Sequence, residues 1–302
     1  MPYDRRDFLK RGGMLASGLA FGSIAAKALT NPSFTNKFFN DLPNEKLQQF
    51  GLQLWTVKDV MAKDPQDTLK QVASFGYKLV EGFEGGKGMF WGMTNKEFKK
   101  TMDDLGLQFI SSHCDINNTN GQFEKKAALA SEIGMKYLIC PFYGAQKTLD
   151  DYKKAADKFN ACGEICKKNG LRFAYHNHWY TFQVQDGVKP QEILMKNTDP
   201  NLVDYEMDIY WVVTVGADPI EWLQKYPNRF RLGHLKDRTS NAGPKDFDAS
   251  CELGTGAIDF TKIAKVAKAN GMEYFIVEQE KFHGPTLDAA KADATYMKSL
   301  DV

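Results

Sequence analysis

The residues best suited to chemistry stand in short clusters, each at the end of an apolar run. One run closes with His176-Asn177-His178, the next with Glu206-Met207-Asp208, a third with His234-Leu235-Lys236-Asp237 and a fourth with Glu278-Gln279-Glu280. Earlier runs end near Gln53, Trp55 and Lys58, near Glu81 and Glu84, near His113 and Asp115, and near Tyr143. Four of the chain's five histidines occupy such positions. Imidazoles and carboxylates are ligands for Mn, Co, Zn or Mg-type ions, so a divalent metal is the economical reading. A single His or Asp at a strand end usually does no more than hold a loop. Four consecutive runs ending this way argue for a shared site.

The elements that would position these residues are set by periodicity. Apolar runs at 51–55, 79–83, 107–112, 137–140, 172–176, 203–208, 229–235 and 274–278 read as strands. Amphipathic stretches between and after them, such as 65–75, 95–105, 151–168, 259–270 and 287–300, read as helices. Gly76, Gly106, Gly134, Gly170 and Gly271 each stand just before a strand, where a left-handed residue can end a helix. Eight such units without a composition break predict an α/β protein, a single (β/α)8 TIM barrel. A doubly wound sheet is the alternative, but no glycine-rich phosphate loop comes after the first strand. In a barrel, reactive side chains sit at the C-terminal ends of the strands, where these clusters fall.

Five motifs carry a resemblance: Tyr175-His-Asn-His178, Met207-Asp-Ile-Tyr-Trp211 with Gly216-Ala-Asp-Pro219, Gly233-His-Leu-Lys-Asp237, Leu253-Gly-Thr-Gly-Ala-Ile-Asp-Phe260, and Val277-Glu-Gln-Glu280. With them the chain resembles the xylose-isomerase-like TIM barrels, the broad superfamily of sugar (phosphate) isomerases and epimerases, from Gly51 to the last helix. The resemblance implies a divalent ion held by a Glu, an Asp, a His and a Glu on strands five to eight. Asp208, His234 and Glu278 match three of these positions, and His176 stands where the first Glu is expected. Epimerases of this group use both ligating glutamates as opposed acid–base groups, so one carboxylate of that pair is missing. Either His176 is the fourth ligand or it is an acid–base group. Strand alternation puts His178 on the same face, where it competes for either role.

The implied chemistry is enolisation. A divalent ion bridging a sugar carbonyl and a neighbouring hydroxyl stabilises the enediolate left when the α-proton departs. Glu278, His176 or His178 would be the base. Reprotonation on the neighbouring carbon is isomerisation and reprotonation on the other face is epimerisation, while loss of a β-leaving group is elimination, as from a 3-keto-glycoside. The family implies an isomerase or epimerase acting on a small sugar or glycoside, with the lyase a close second. Family dimers and tetramers imply self-association. Trp55 and Trp211 offer flat faces for a sugar, His113 a contact in the cleft, and Lys236 a charge for a substrate oxygen. Glu252 reads as the anchor of Gly254-Thr-Gly256, and Lys281, His283 and Gly284 are only a faint hint of a phosphate pocket. Two other classes share the barrel: an inactive sugar-binding barrel that needs no metal, and a related zinc-cluster DNA endonuclease, for which five histidines are too few.

Residues 1–28 read as an address. Arg5-Arg6-Asp7-Phe8-Leu9-Lys10, a weakly apolar run and Ala26-Lys27-Ala28 resemble a twin-arginine signal with its cleavage site. The run is too short and too mildly apolar to span a membrane, so no stable insertion is expected after processing. Residues 29–49 would be a tether and 50–302 the barrel, in the periplasm. There, non-phosphorylated sugars are the expected substrates. The 302-residue chain carries 39 basic and 38 acidic residues, and cleavage removing five basic and two acidic groups leaves a formal charge of −2. That balance gives no attraction for nucleic acid. The five scattered cysteines, Cys162 and Cys166 included, read as small buried hydrophobes.

Overall fold

The computed structural model describes residues 45–302 except Lys245. The expected signal at 1–28 and most of the expected tether lie outside the described residues.

Strands β1 (Gly51–Gln53), β2 (Leu79–Phe83), β3 (Gln108–His113), β4 (Tyr137–Cys140), β5 (Arg172–His176), β6 (Val203–Asp208) and β7 (Phe230–Leu235) run in parallel around a ring. A small antiparallel ribbon comes next, β8 (Asp237–Arg238) on β9 (Ser250–Cys251), and β10 (Tyr274–Val277) then closes the eight-stranded barrel by pairing with β7 and β1. Eight longer helices surround it: α1 (Pro65–Phe75), α2 (Asn95–Asp104), α3 (Gln122–Glu132), α4 (Leu149–Lys168), α5 (Pro190–Asn197), α6 (Pro219–Lys225), α7 (Phe260–Ala269) and α8 (Thr286–Ser299). The expected (β/α)8 barrel is the observed fold.

Local signals explain the element ends. The Asp64 side chain accepts the Asp67 N–H at the start of α1, with Pro65 in the first turn, and Thr94 with Glu97 forms a reciprocal capping box on α2. All five glycines before strands have positive φ. At Gly271 (φ 95°) an added Cβ would also stand 2.4 Å from Asn228 Oδ1, so close approach and backbone angle both require glycine.

Alternation along the strands builds two storeys inside the barrel. Leu79, Ala174, Leu232 and Ile276 belong to one buried apolar cluster, with Tyr137 and Ile139. Two residues further along each strand, on the same face, come Glu81, His176, His234 and Glu278, all buried. An apolar plug thus supports a polar floor. Register slips by one residue at Val80/Glu81 against β3 and at Tyr205/Glu206 against β7, beside two buried glutamates.

Some expectations shift. β1 stops at Gln53, whose side chain accepts the Trp55 N–H and starts a 3-10 turn over Leu54–Val57. The ribbon after β7 has no counterpart in the strand pattern of the sequence. Its organiser is Asp237, whose carboxylate accepts the N–H groups of Gly254 (2.9 Å), Gly256 (3.0 Å) and Ile258 (3.1 Å). A Cβ at Gly256 would stand 2.3 Å from Asp237 Oδ1, so Asp237, not the Glu252 carboxylate, explains the Gly-Thr-Gly motif. All five cysteines are free and buried. Lys281 pairs with Asp248 at the surface.

Candidate metal centre and substrate cavity

His176, Asp208, His234 and Glu278 meet at the C-terminal end of the barrel, each offering one ligand atom, all within 4.8 Å of one another. They come from the ends of β5, β6 and β7 and the residue after β10. His176 Nε2 lies 3.5 Å from Asp208 Oδ2, and His234 Nδ1 lies 3.3 Å from Glu278 Oε2 and 4.0 Å from Asp208 Oδ2. A tetrahedral ion with bonds of about 2.0–2.2 Å separates its ligands by roughly 3.3–3.6 Å. The spacing suits such an ion and is long for direct hydrogen bonds.

The surroundings aim both rings. His176 Nδ1 is 3.1 Å from the Pro141 carbonyl, so Nδ1 carries the proton and the Nε2 lone pair faces the cluster, where it is buried without a hydrogen bond. His234 Nε2 is 2.7 Å from Glu81 Oε1, which leaves Nδ1 toward Asp208 and Glu278. Ligating histidines are commonly held in this way, one nitrogen on an acceptor and the other on the metal.

A second buried group lies beneath: Glu81, His113, Glu206 and His234. Here the contacts are short. His113 Nε2 is 2.8 Å from Glu206 Oε2, and Glu81 also accepts from Gln53 Nε2 (2.8 Å) and Ser111 Oγ (2.6 Å). These are hydrogen-bond lengths, so the lower group serves as a scaffold for His234. In the sequence, Glu81 and Glu206 are strand-end residues without an evident role.

Lys236 lies over the upper group, fully buried, with Nζ 2.8 Å from Asp208 Oδ2 and 2.9 Å from both Glu278 and Glu280. Burial works against its charge, but Asp208, Glu278 and Glu280 outweigh it and hold the ammonium well above its ordinary pKa. In turn, burial would raise the Glu278 carboxyl, yet Lys236 and His234 hold it well below the usual range. For His234, burial is overcome by Glu206 and Glu278, and the ring is pushed well above the ordinary imidazole value.

Above the floor opens a cavity of about 820 Å³, lined among others by Trp55, His113, His178, Trp211 and Lys236. His178 stands two residues beyond β5 and stays outside the ligand quartet. Its ring stacks between Tyr180 and Trp211, with centroids 5.9 and 5.5 Å away. Burial, with the His176 ring and the Lys236 ammonium nearby, pushes its pKa down to about 3, so it is neutral. His178 Nδ1 and Trp211 Nε1 are buried without partners, two polar atoms free to meet a ligand. Trp55 is 38% exposed at the mouth with Lys58 Nζ 3.7 Å over its ring, while His113 touches the cavity from the lower group.

A family model described as the xylose isomerase-like TIM barrel matches residues 69–300. The chain belongs to the xylose isomerase-like TIM barrel family. Members similar to it include inosose dehydratases of Clostridium perfringens and Clostridium tetani, 27% and 31% identical over 266 residues, in each case 75% of this chain and 87% of the relative. A solved sugar phosphate isomerase/epimerase of Parabacteroides distasonis is 30% identical, with a TM-score of 0.72 over 82% of this chain and 96% of that one. The quartet and the cavity above it stand at the C-terminal end of this xylose isomerase-like barrel, the face where TIM-barrel enzymes carry their active sites.

Proposed function

We propose that the protein is a divalent-metal-dependent lyase that removes the proton beside a ring carbonyl of a non-phosphorylated sugar-like substrate and expels the group on the next carbon. The observation that carries this reading is the buried quartet His176, Asp208, His234 and Glu278 under an open cavity, with neutral His178 and cationic Lys236 beside it. A divalent ion of the zinc, manganese or cobalt kind would supply Lewis-acid polarisation of the carbonyl. His178 lines the cavity beside the quartet and is the candidate acceptor of the α-proton. Lys236 holds a fixed positive charge where negative charge builds up on oxygen. Trp211 Nε1 orients a hydroxyl, and the carboxylates of Asp208 and Glu278 stay ionised for the metal. Loss of water from a ring ketone, which the name inosose dehydratase describes, is a reaction of this type and supports elimination.

Isomerisation or epimerisation is the second reading, favoured by the likeness to the Parabacteroides structure. It shares the proton abstraction and differs only in the fate of the enediolate. Two-base epimerisation lacks its second carboxylate, because His176 replaces it. Export by the twin-arginine route to the periplasm is part of the same proposal and excludes phosphorylated cytoplasmic intermediates. An inactive sugar-binding barrel would do without the metal.

The test is incubation of the metal-loaded protein in D2O with a panel of ketoses, inososes and 3-keto-glycosides, and detection by NMR. Deuterium next to the carbonyl together with an unsaturated product is expected. Exchange without elimination selects the second reading, and no exchange anywhere in the panel, with metal bound, overturns both.

A further inference from the structure

The cavity is larger than one ring requires. About 820 Å³ lies near the upper end of the range for drug-sized ligands, roughly 300–1,000 Å³, whereas a hexose has about a dozen heavy atoms. The outer part of the cavity has a different character. Trp55, after β1, and Phe142, after β4, are exposed at 38% and 62%, and both line it. Their strands are three steps apart in a ring of eight, so the two rings line the cavity from separate walls.

Both rings are held. Trp55 packs edge-to-face on Phe83 at 5.0 Å, and Phe142 does the same on His178 at 5.2 Å. Between them the rim carries Glu84, Asp115, Lys125 and Lys126, groups suited to hydroxyls. Aromatic faces combined with polar edges match a pyranose, which has apolar C–H faces and a hydroxylated rim.

We infer that the outer cavity is a subsite for a second sugar ring, the leaving half of a glycosidic substrate, gripped by Trp55 and Phe142. The inference rests on the lyase reading for its chemistry. The α-proton passes to the base and its electron pair becomes the new C=C bond. The C–O bond to the second ring breaks, and the departing oxygen keeps the bonding pair of that C–O bond and takes up a proton. No oxidant or reductant is consumed.

The test is calorimetric binding of cellobiose, maltose and methyl glucoside to the metal-loaded protein. None of these carries a ketone, so the result is independent of turnover. The better disaccharide is expected to bind about tenfold more tightly than methyl glucoside. That ratio should fall toward one in Phe142→Ala, whose side chain is mostly exposed and whose loss leaves the core intact, and in Trp55→Ala. Equal affinities, no saturable binding of any probe, or a ratio that survives both substitutions overturns the subsite. An intact ratio in a protein that exchanges no α-proton overturns the lyase reading and leaves the subsite standing.

Discussion

Glu81 Oε1 and His234 Nε2 lie 2.7 Å apart across the barrel interior, joining a scaffold carboxylate to a candidate metal ligand. Gln53 and Ser111 fix that carboxylate in turn, so the aim of His234 is set on the far side of the metal centre. Outer partners of this kind typically change metal affinity about 10–100-fold when removed. Glu81→Gln is therefore expected to weaken Zn or Mn binding by about that factor while the far-UV circular dichroism stays unchanged. Unaltered affinity in competition with a chelating dye would show that the contact is only structural.

Metal removal should register as stability. A ligand at 100 times its Kd adds about 2.7 kcal/mol, and a domain of this size moves roughly 2–4 °C per kcal/mol. EDTA is expected to lower the melting temperature by roughly 5–10 °C in the native protein. In the His176→Ala, Asp208→Ala double variant it should have almost no effect. An equal EDTA response in both, measured by scanning calorimetry, would place the ion elsewhere.

Among the described residues, Lys236→Met removes the one ammonium that touches Asp208, Glu278 and Glu280. Breaking one side of a buried ion cluster costs about 3–5 kcal/mol. The variant should melt well below the native protein without metal and recover a larger increment when Zn or Mn is added, because the ion then supplies the missing positive charge. Turnover should remain severely reduced even when the stability is restored.

Asp293 supplies a pH dependence outside the site. It is buried in α8, one oxygen accepting the Leu253 N–H at 2.7 Å and the other unpartnered. Burial, reinforced by Glu252 and Asp237, pushes its carboxyl up to about 7. A raised acid pKa means that the folded state holds the proton longer than the unfolded chain, so stability falls as pH rises from about 4 to about 7. The loss is on the order of 4 kcal/mol when the whole shift is counted. Asp293→Asn should flatten that slope and be the more stable protein above pH 7 in urea titrations.

Much of the site is legible in the sequence because the fold writes its reactive residues at strand ends. Asp208, His234 and Glu278 each end an apolar run, and His176 is visible as a substitution within a four-ligand pattern. The separation of His176 from His178 is not legible, because it depends on where β5 stops and on the Pro141 carbonyl. The scaffold role of His113 is hidden by a register shift. Ile110 packs in the barrel interior and its neighbour Ser111 also reaches inward to Glu81, so simple alternation fails along β3. Counted from Ile110, His113 would point outward. Glu206 stands in the strand-end cluster of the sequence, and on β6 it shares its parity with Asp204 and Asp208, all three buried.

The position of Lys236 bears on the order of assembly. Ionised Asp208 and Glu278 in a closed interior would normally oppose collapse of the chain until a cation arrived. Because the polypeptide brings its own cation to those two oxygens, the barrel can close first and acquire its ion afterwards. If the quartet takes up an ion, maturation is expected to be two separable events, with the supply of metal limiting activity but not the yield of folded protein.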